Sequence, residues 1–210
     1  DLKSFLVDTG LSHQHIDHML EIYAFGKGFY QSVDVDFSLR ENEIVAGVFQ
    51  FYHVPGHCPG QVCVQVDDIL LTADHVLSKI TPHQSPESIT RYTGLGHYLK
   101  SLAMISDLPG IRQCLGGHDT PFYSLTDRVN EIRISHEERL SKIIDLCHAP
   151  RNIQDLCQCL FGELQGYNLL LALTETGAHV EYLYERDQLA VANLAAIKTE
   201  DRAAILYQIV

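Results

Sequence analysis

The sequence predicts a mixed α/β protein, and three features carry that prediction. Residues 45–72 are rich in β-formers and broken by Pro-Gly and Asp-Asp turns. From Leu125 to Cys147, apolar residues recur at spacings of three and four, as along one face of a long helix. After Pro150 the pattern changes to shorter helical stretches and two closing β-prone segments. The chain is therefore expected to divide near Pro150, into a larger domain over residues 1–149 and a smaller one over 150–210.

Composition sets the bounds. With 210 residues, 46% hydrophobic and 20% charged, the chain can bury one good core and a small appended domain. Its densest apolar run, Leu169-Leu170-Leu171-Ala172-Leu173, falls far short of the roughly eighteen residues a membrane span needs. Membrane partners are not expected. The six cysteines (Cys58, Cys63, Cys114, Cys147, Cys157 and Cys159) form no Cys-x-x-Cys pair, and several sit in apolar periodic stretches. That usage favours a reducing, cytoplasmic setting. A formal charge of −12 opposes a surface built to attract polyanions.

The first chemical feature is Ser12-His13-Gln14-His15-Ile16-Asp17-His18. Three imidazoles and a carboxylate this close are hard to explain without metal, because protonated rings would repel one another and neutral rings add little to a core. Read as an extended strand end, alternation directs His13, His15 and Asp17 to one side and His18 to the other. One short loop would then open two adjacent metal sites, using donors typical of Zn²⁺ and similar ions.

Further donors follow at strand ends and glycine turns. His57 lies in Val54-Pro55-Gly56-His57-Cys58-Pro59-Gly60, between a β-rich stretch and the alternating strand Gln61 to Val66. Asp67-Asp68 turns the chain into Ile69-Leu70-Leu71-Thr72, which ends at Ala73-Asp74. His118 follows the short apolar stretch and two glycines of Leu115-Gly116-Gly117.

The rest of the chain reads as helices and a wing. Ser124 can cap a helix whose stripe is Leu125, Val129, Ile132, His136, Leu140, Ile143 and Cys147. On that stripe His136 reads as a packed, hydrogen-bonded residue. Ile153, Leu156, Cys157, Leu160 and Phe161 mark a second helix, and a third is expected from about Thr174 to Arg186. Residues 189–193 and 204–210 are expected to pair as a β-wing, with a solvated turn at residues 199–202. That order fits a winged helix. Its charge does not fit duplex DNA: from Pro150 to Val210 four Lys/Arg stand against eight Asp/Glu. The module is expected instead to cover the active-site cleft or to form a homo-oligomer contact.

The ordered series His13-x-His15-x-Asp17-His18, then His57, Asp74 and His118, resembles that of the metallo-β-lactamase-fold hydrolases. The stretches Thr72-Ala73-Asp74-His75-Val76-Leu77, Ile80-Thr81-Pro82 and Gly117-His118-Asp119-Thr120-Pro121-Phe122 are similar to a subgroup carrying a C-terminal winged helix. The resemblance implies a four-layer αββα sandwich with that small appended domain. It implies two divalent ions, zinc foremost, with iron or manganese as alternatives. His13, His15 and His57 would hold one ion, Asp17, His18 and His118 the second, and Asp74 would bridge both. Asp17 and Asp74 are the implied catalytic carboxylates, around a metal-bridging hydroxide. His75, Lys79, Tyr92 and Tyr98, in or after the bridging-ligand loop, are candidate substrate contacts.

Two departures from the family pattern stand out. Ala73 occupies a position where glycine is usual. Asp8-Thr9-Gly10 leads almost at once into the histidine motif, and the interval from His18 to His57 is short for the family. Extra native residues are therefore expected before Asp1, and between Gly10 and His13 or between His18 and His57. Functionally, the ligand set implies hydrolysis of a carbonyl ester, a thioester or a related small substrate. An endoribonuclease acting on single-stranded RNA is one alternative. A non-hydrolytic di-iron redox protein is another, although such relatives usually replace one motif histidine by an acidic residue.

Overall fold

A computed structural model describes residues 1–40, 43–199 and 203–210. In chain order its first elements are α1 (Leu2–Asp8), α2 (His13–Lys27), β1 (Ile44–Val45), β2 (Phe49–His53), β3 (Val62–Val66), β4 (Ile69–Ala73) and α3 (Leu95–Ser106). There follow β5 (Gln113–Gly116), α4 (Leu125–Leu146), α5 (Ile153–Phe161), α6 (Gly166–Tyr184), β6 (Leu189–Val191), α7 (Leu194–Thr199) and β7 (Tyr207–Ile209). They fall into two compact units. One comprises residues 1–34, 86–90 and 138–210, and the other 35–85 and 91–137. This division differs from the expected boundary after residue 149, because α1, α2 and the last part of α4 belong with the C-terminal helices.

The sheet unit holds strands in the order β1-β2-β3-β4-β5. The first four are antiparallel neighbours, with Tyr52 opposite Cys63 and Val64 opposite Leu71. β4 and β5 are parallel, with Leu70 opposite Cys114. A parallel pair needs a crossover, and α3 lies within it. The Asp67-Asp68 turn forms as expected, with Asp67 at φ 52°. In β4, Leu70 and Thr72 are buried while Leu71 is exposed, so one face points into the core. Leu70, Leu95, Tyr98, Leu102, Ile105 and Ile132 are each at most 1% exposed. Burial of this kind contributes about 1.5–3 kcal/mol per large aliphatic side chain.

The helical unit packs Leu2, Phe5 and Leu6 of α1 and Ile16 and Met19 of α2 with Ile143, Leu156, Leu173, Val180 and Leu183. Caps set the helix starts. The Asp1 carboxylate accepts from Ser4 N at 2.9 Å, and Asn152 Oδ1 from Asp155 N at 2.8 Å. The predicted α4 stripe is buried at Leu125, Val129, Ile132, His136, Ile143 and Cys147. α5 spans the predicted second helix. α6, however, opens at Gly166 rather than near Thr174, because Leu169 to Leu173 are good helix formers that continue the same helix. β6 and β7 pair antiparallel, as expected for the two closing segments, with Ala190 opposite Gln208, and α7 lies between them in sequence. Of the turn expected at 199–202, all but Thr199 lies outside the described residues.

The mixed α/β class holds in the described residues. Among the described residues there is one five-stranded sheet and one two-stranded pair. The stretch before His13 is helical. Leu2, Phe5 and Leu6 stand at helical spacing and are buried together. Among the described residues, no helix is long and apolar enough to cross a membrane.

Candidate metal centre

Asp74 leaves the end of β4 through a register shift between Leu71 and Ala73. Ala73 takes φ 46°, the left-handed region that favours glycine, which explains why an alanine here is unusual. Asp74 follows that turn directly, just past the end of β4. β5, the parallel neighbour, ends at Gly116, and Gly117 N donates to Ala73 O at 2.8 Å. Gly117 passes so close to Asp74 that a Cβ would overlap Oδ1. The missing side chain lets His118 and Asp74 emerge from adjacent strand ends.

Two imidazoles flank this carboxylate on different oxygens. His57 Nε2 lies 4.0 Å from Oδ2, and His118 Nε2 lies 3.5 Å from Oδ1. His57 Nδ1 is 2.7 Å from the His83 carbonyl, which can only accept, so Nδ1 carries the proton. The Nε2 lone pair is thereby left toward Asp74, as in metal-binding histidines oriented by a backbone carbonyl. Side-chain exposure rises from 25% at His57 through 35% at Asp74 to 65% at His118, so the cluster opens to solvent on the His118 side.

The loop after Asp74 is held along its length. Thr72 Oγ1 donates to Val76 O at 2.7 Å, and Tyr98 OH to His75 O at 2.8 Å. Arg128 donates from Nε to Leu77 O at 2.6 Å and from a terminal nitrogen to Ile80 O at 2.9 Å. The His83 carbonyl and the Arg128 clamp have no counterpart among the roles read from the sequence. A basic residue on the core-facing side of an amphipathic helix was the available signal.

The four candidate substrate contacts separate. His75 and Tyr98 are fully buried, their rings T-shaped with centroids 5.1 Å apart, and burial lowers the His75 pKa to about 3. Enclosure of both side chains replaces the expected substrate contact with a packing role. Lys79 and Tyr92 are exposed, Tyr92 at φ 64° and with its ring 5.9 Å from that of His97.

The histidine motif is helical, which corrects its reading as a strand end. Ser12 caps α2, its Oγ accepting from His15 N at 3.4 Å, and Ile16 and Met19 are buried at helical spacing. At about 100° per residue, His15 and His18 share one face and His13 and Asp17 another, so the predicted grouping of His13, His15 and Asp17 does not form. All four side chains are exposed. His15 Nδ1 lies 3.1 Å from Ser12 Oγ, and His18 Nδ1 lies 3.9 Å from Glu21. The sheet unit thus brings together His57, Asp74 and His118, while the motif residues stand on α2 in the helical unit.

No family model matches the sequence, and no curated protein matches it. Solved structures do. The chain is similar to a metallo-beta-lactamase family protein from Thermus thermophilus, at 23% identity and a TM-score of 0.69, over 94% of this chain and 65% of that one. It is also similar to a beta-lactamase domain protein from Burkholderia ambifaria, at 24% identity and a TM-score of 0.73, over 85% of this chain and 54% of that one. The chain therefore spans 65% and 54% of the lengths of these two structures. The likeness shows a metallo-β-lactamase-like fold.

Proposed function

We propose that this protein is a metal-dependent hydrolase whose centre is organised by Asp74. The observation that carries the reading is the division of one carboxylate between two imidazoles, with Oδ2 toward His57 and Oδ1 toward His118. That donor set would suit divalent ions held by Asp74 together with His57 and His118. By sequence resemblance, His13, His15, Asp17 and His18 are further candidate ligands. Zinc is the proposed metal, with iron or manganese as alternatives. When bound, the two ions supply an activated water and neutralise charge that develops on the substrate.

The chain's own groups prepare the site. His83 O fixes the His57 ring, the left-handed Ala73 turns the chain into Asp74, and the bare Cα of Gly117 leaves room for its carboxylate. Asp17 is proposed to tune the second ion. Lys79 and Tyr92, exposed in and after the loop that follows Asp74, remain the proposed substrate contacts.

The proposed substrates are small carbonyl esters or thioesters, because a net charge of −12 disfavours polyanions. Helices α5 and α6 with the β6/β7 wing are proposed to form a winged-helix-like module that does not bind duplex DNA and serves as an oligomer contact. All six cysteines are free, which supports the proposed reducing, cytoplasmic setting.

The test is a panel of thioester, lactone, phosphodiester and single-stranded RNA substrates, run with metal-depleted and reloaded protein. The expected result is thioester or ester hydrolysis that needs added metal and disappears in Asp74→Ala. RNA cleavage with the same dependence, and no acyl hydrolysis, would move the substrate to RNA. Metal-dependent electron transfer without hydrolysis would support the di-iron alternative.

A further inference from the structure

We infer that Tyr98 and Ser101, on one face of α3, are positioning residues that set the separation of His57 from Asp74. The inference rests on the proposed metal centre and deepens it. Neither side chain is itself a ligand candidate, and both reach the centre through backbone carbonyls within two residues of the ligands.

On the His57 side, Ser101 Oγ donates to Pro55 O at 2.8 Å. Gly94 N, at the start of the same helix, donates to Gly56 O at 3.1 Å. Gly56 has φ 137°, and a Cβ on it would run into the backbone of Tyr98. The turn carrying His57 is therefore pressed against the helix backbone, which only glycine allows. On the Asp74 side, the phenol of the same Tyr98 donates to His75 O at 2.8 Å, and its ring packs edge-on against the His75 ring. Tyr98 is 0% exposed and Ser101 4%, so the Tyr98 bond is shielded from water and the Ser101 bond partly so.

One residue thus bears on two ligand turns at once, with its main chain against Gly56 and its hydroxyl against His75. A helical segment is stiff, and the phenol ring has few rotamers, so the span between the two turns is fixed. His57 Nε2 and Asp74 Oδ2 are left 4.0 Å apart, each free to face a common ion. His118 is placed differently, through Gly117 and the β4/β5 pairing. The helix therefore governs the His57 and Asp74 pair specifically.

The test uses Co²⁺ alone as probe, read by its visible absorption and by calorimetric affinity, on the full chain and on Tyr98→Phe, Ser101→Ala, Ile105→Val and Asp74→Ala. Tyr98→Phe keeps the ring and removes only the hydroxyl. Ile105→Val trims a buried side chain of the same helix that makes no hydrogen bond to either turn. The expected result is Co²⁺ binding weakened roughly 10-fold in Tyr98→Phe and in Ser101→Ala, a typical loss when a group supporting a ligand is removed. An altered ligand-field spectrum should accompany it, with Ile105→Val like wild type. Wild-type affinity and spectrum in Tyr98→Phe and Ser101→Ala, while Asp74→Ala loses the ion, would overturn this inference and leave the metal centre standing. Equal weakening in Ile105→Val would also overturn it, since general loosening would then suffice. No Co²⁺ binding by the wild-type chain would remove the metal centre and the inference with it.

Discussion

The two groups of candidate ligands are made of the same donors on opposite kinds of support. His57, Asp74 and His118 come from strand ends and glycine turns, and each is flanked by a backbone group that is itself hydrogen-bonded. His13, His15, Asp17 and His18 project from the exposed surface of α2, where their partners in the described contacts are local, Ser12 and Glu21. In the first group the geometry is dictated by non-local packing that a single added methyl would disturb. In the second it is dictated by helix periodicity, and the buried residues Ile16 and Met19 fix only which way the helix faces. The difference teaches that ligand identity and ligand placement are separate properties of this chain.

The sharpest way to break the comparison is to remove its central donor. Asp74→Ala should weaken divalent-metal binding by at least roughly 100-fold and abolish hydrolysis, beyond what loss of a merely supporting group produces. His15→Ala should cost less affinity, because it removes one donor and leaves Asp74 in place. Dialysis against a metal buffer with elemental analysis would check both, and an equal loss in the two variants would erase the proposed distinction.

The next largest effect tests the packing. Gly117→Ala should cost about 1–3 kcal/mol of stability, because the new methyl would occupy the space of the Asp74 carboxylate. On the helical side, Ser12→Ala should cost about 1 kcal/mol through loss of the α2 cap. Urea unfolding of metal-free protein measures both. Metal affinity should fall in Gly117→Ala, where the carboxylate itself is displaced.

A smaller effect should run in the opposite direction. Ala73→Gly relieves a left-handed backbone and is expected to stabilise by up to about 1 kcal/mol, after allowing for the freer unfolded chain. A melting temperature below wild type would show that Ala73 is not strained. The least costly check concerns the thiols. Exposed Cys159 should react first with an aromatic disulfide reagent, while burial raises the Cys63, Cys114 and Cys147 thiols and should keep them slow until unfolding.

Much of this is legible in the sequence because it is local. The α4 stripe spans six turns of helix, so its period overwhelms chance, and β3 and β4 announce themselves by alternation and an Asp-Asp turn. Asp74 and His118 can be singled out because each closes a short apolar run. The histidine motif misleads because alternate residues suit a strand and three- or four-residue spacing suits a helix, and the motif contains both. Ser12 as a cap and the Ile16/Met19 pair are the deciding signals. The compact units cannot be read from a composition change near Pro150, because α1 and α2 join helices more than a hundred residues away. Tyr98 reads as a substrate contact because nothing in its neighbours in sequence shows that its hydroxyl meets His75.

The most direct test of the central claim is a crystal structure of the zinc-loaded protein, with an anomalous difference map recorded at the zinc edge. The account predicts zinc density against Asp74, with His57 Nε2 on one oxygen and His118 Nε2 on the other, both at coordination distance. Density elsewhere with these three side chains unligated, or none at full loading, would contradict it.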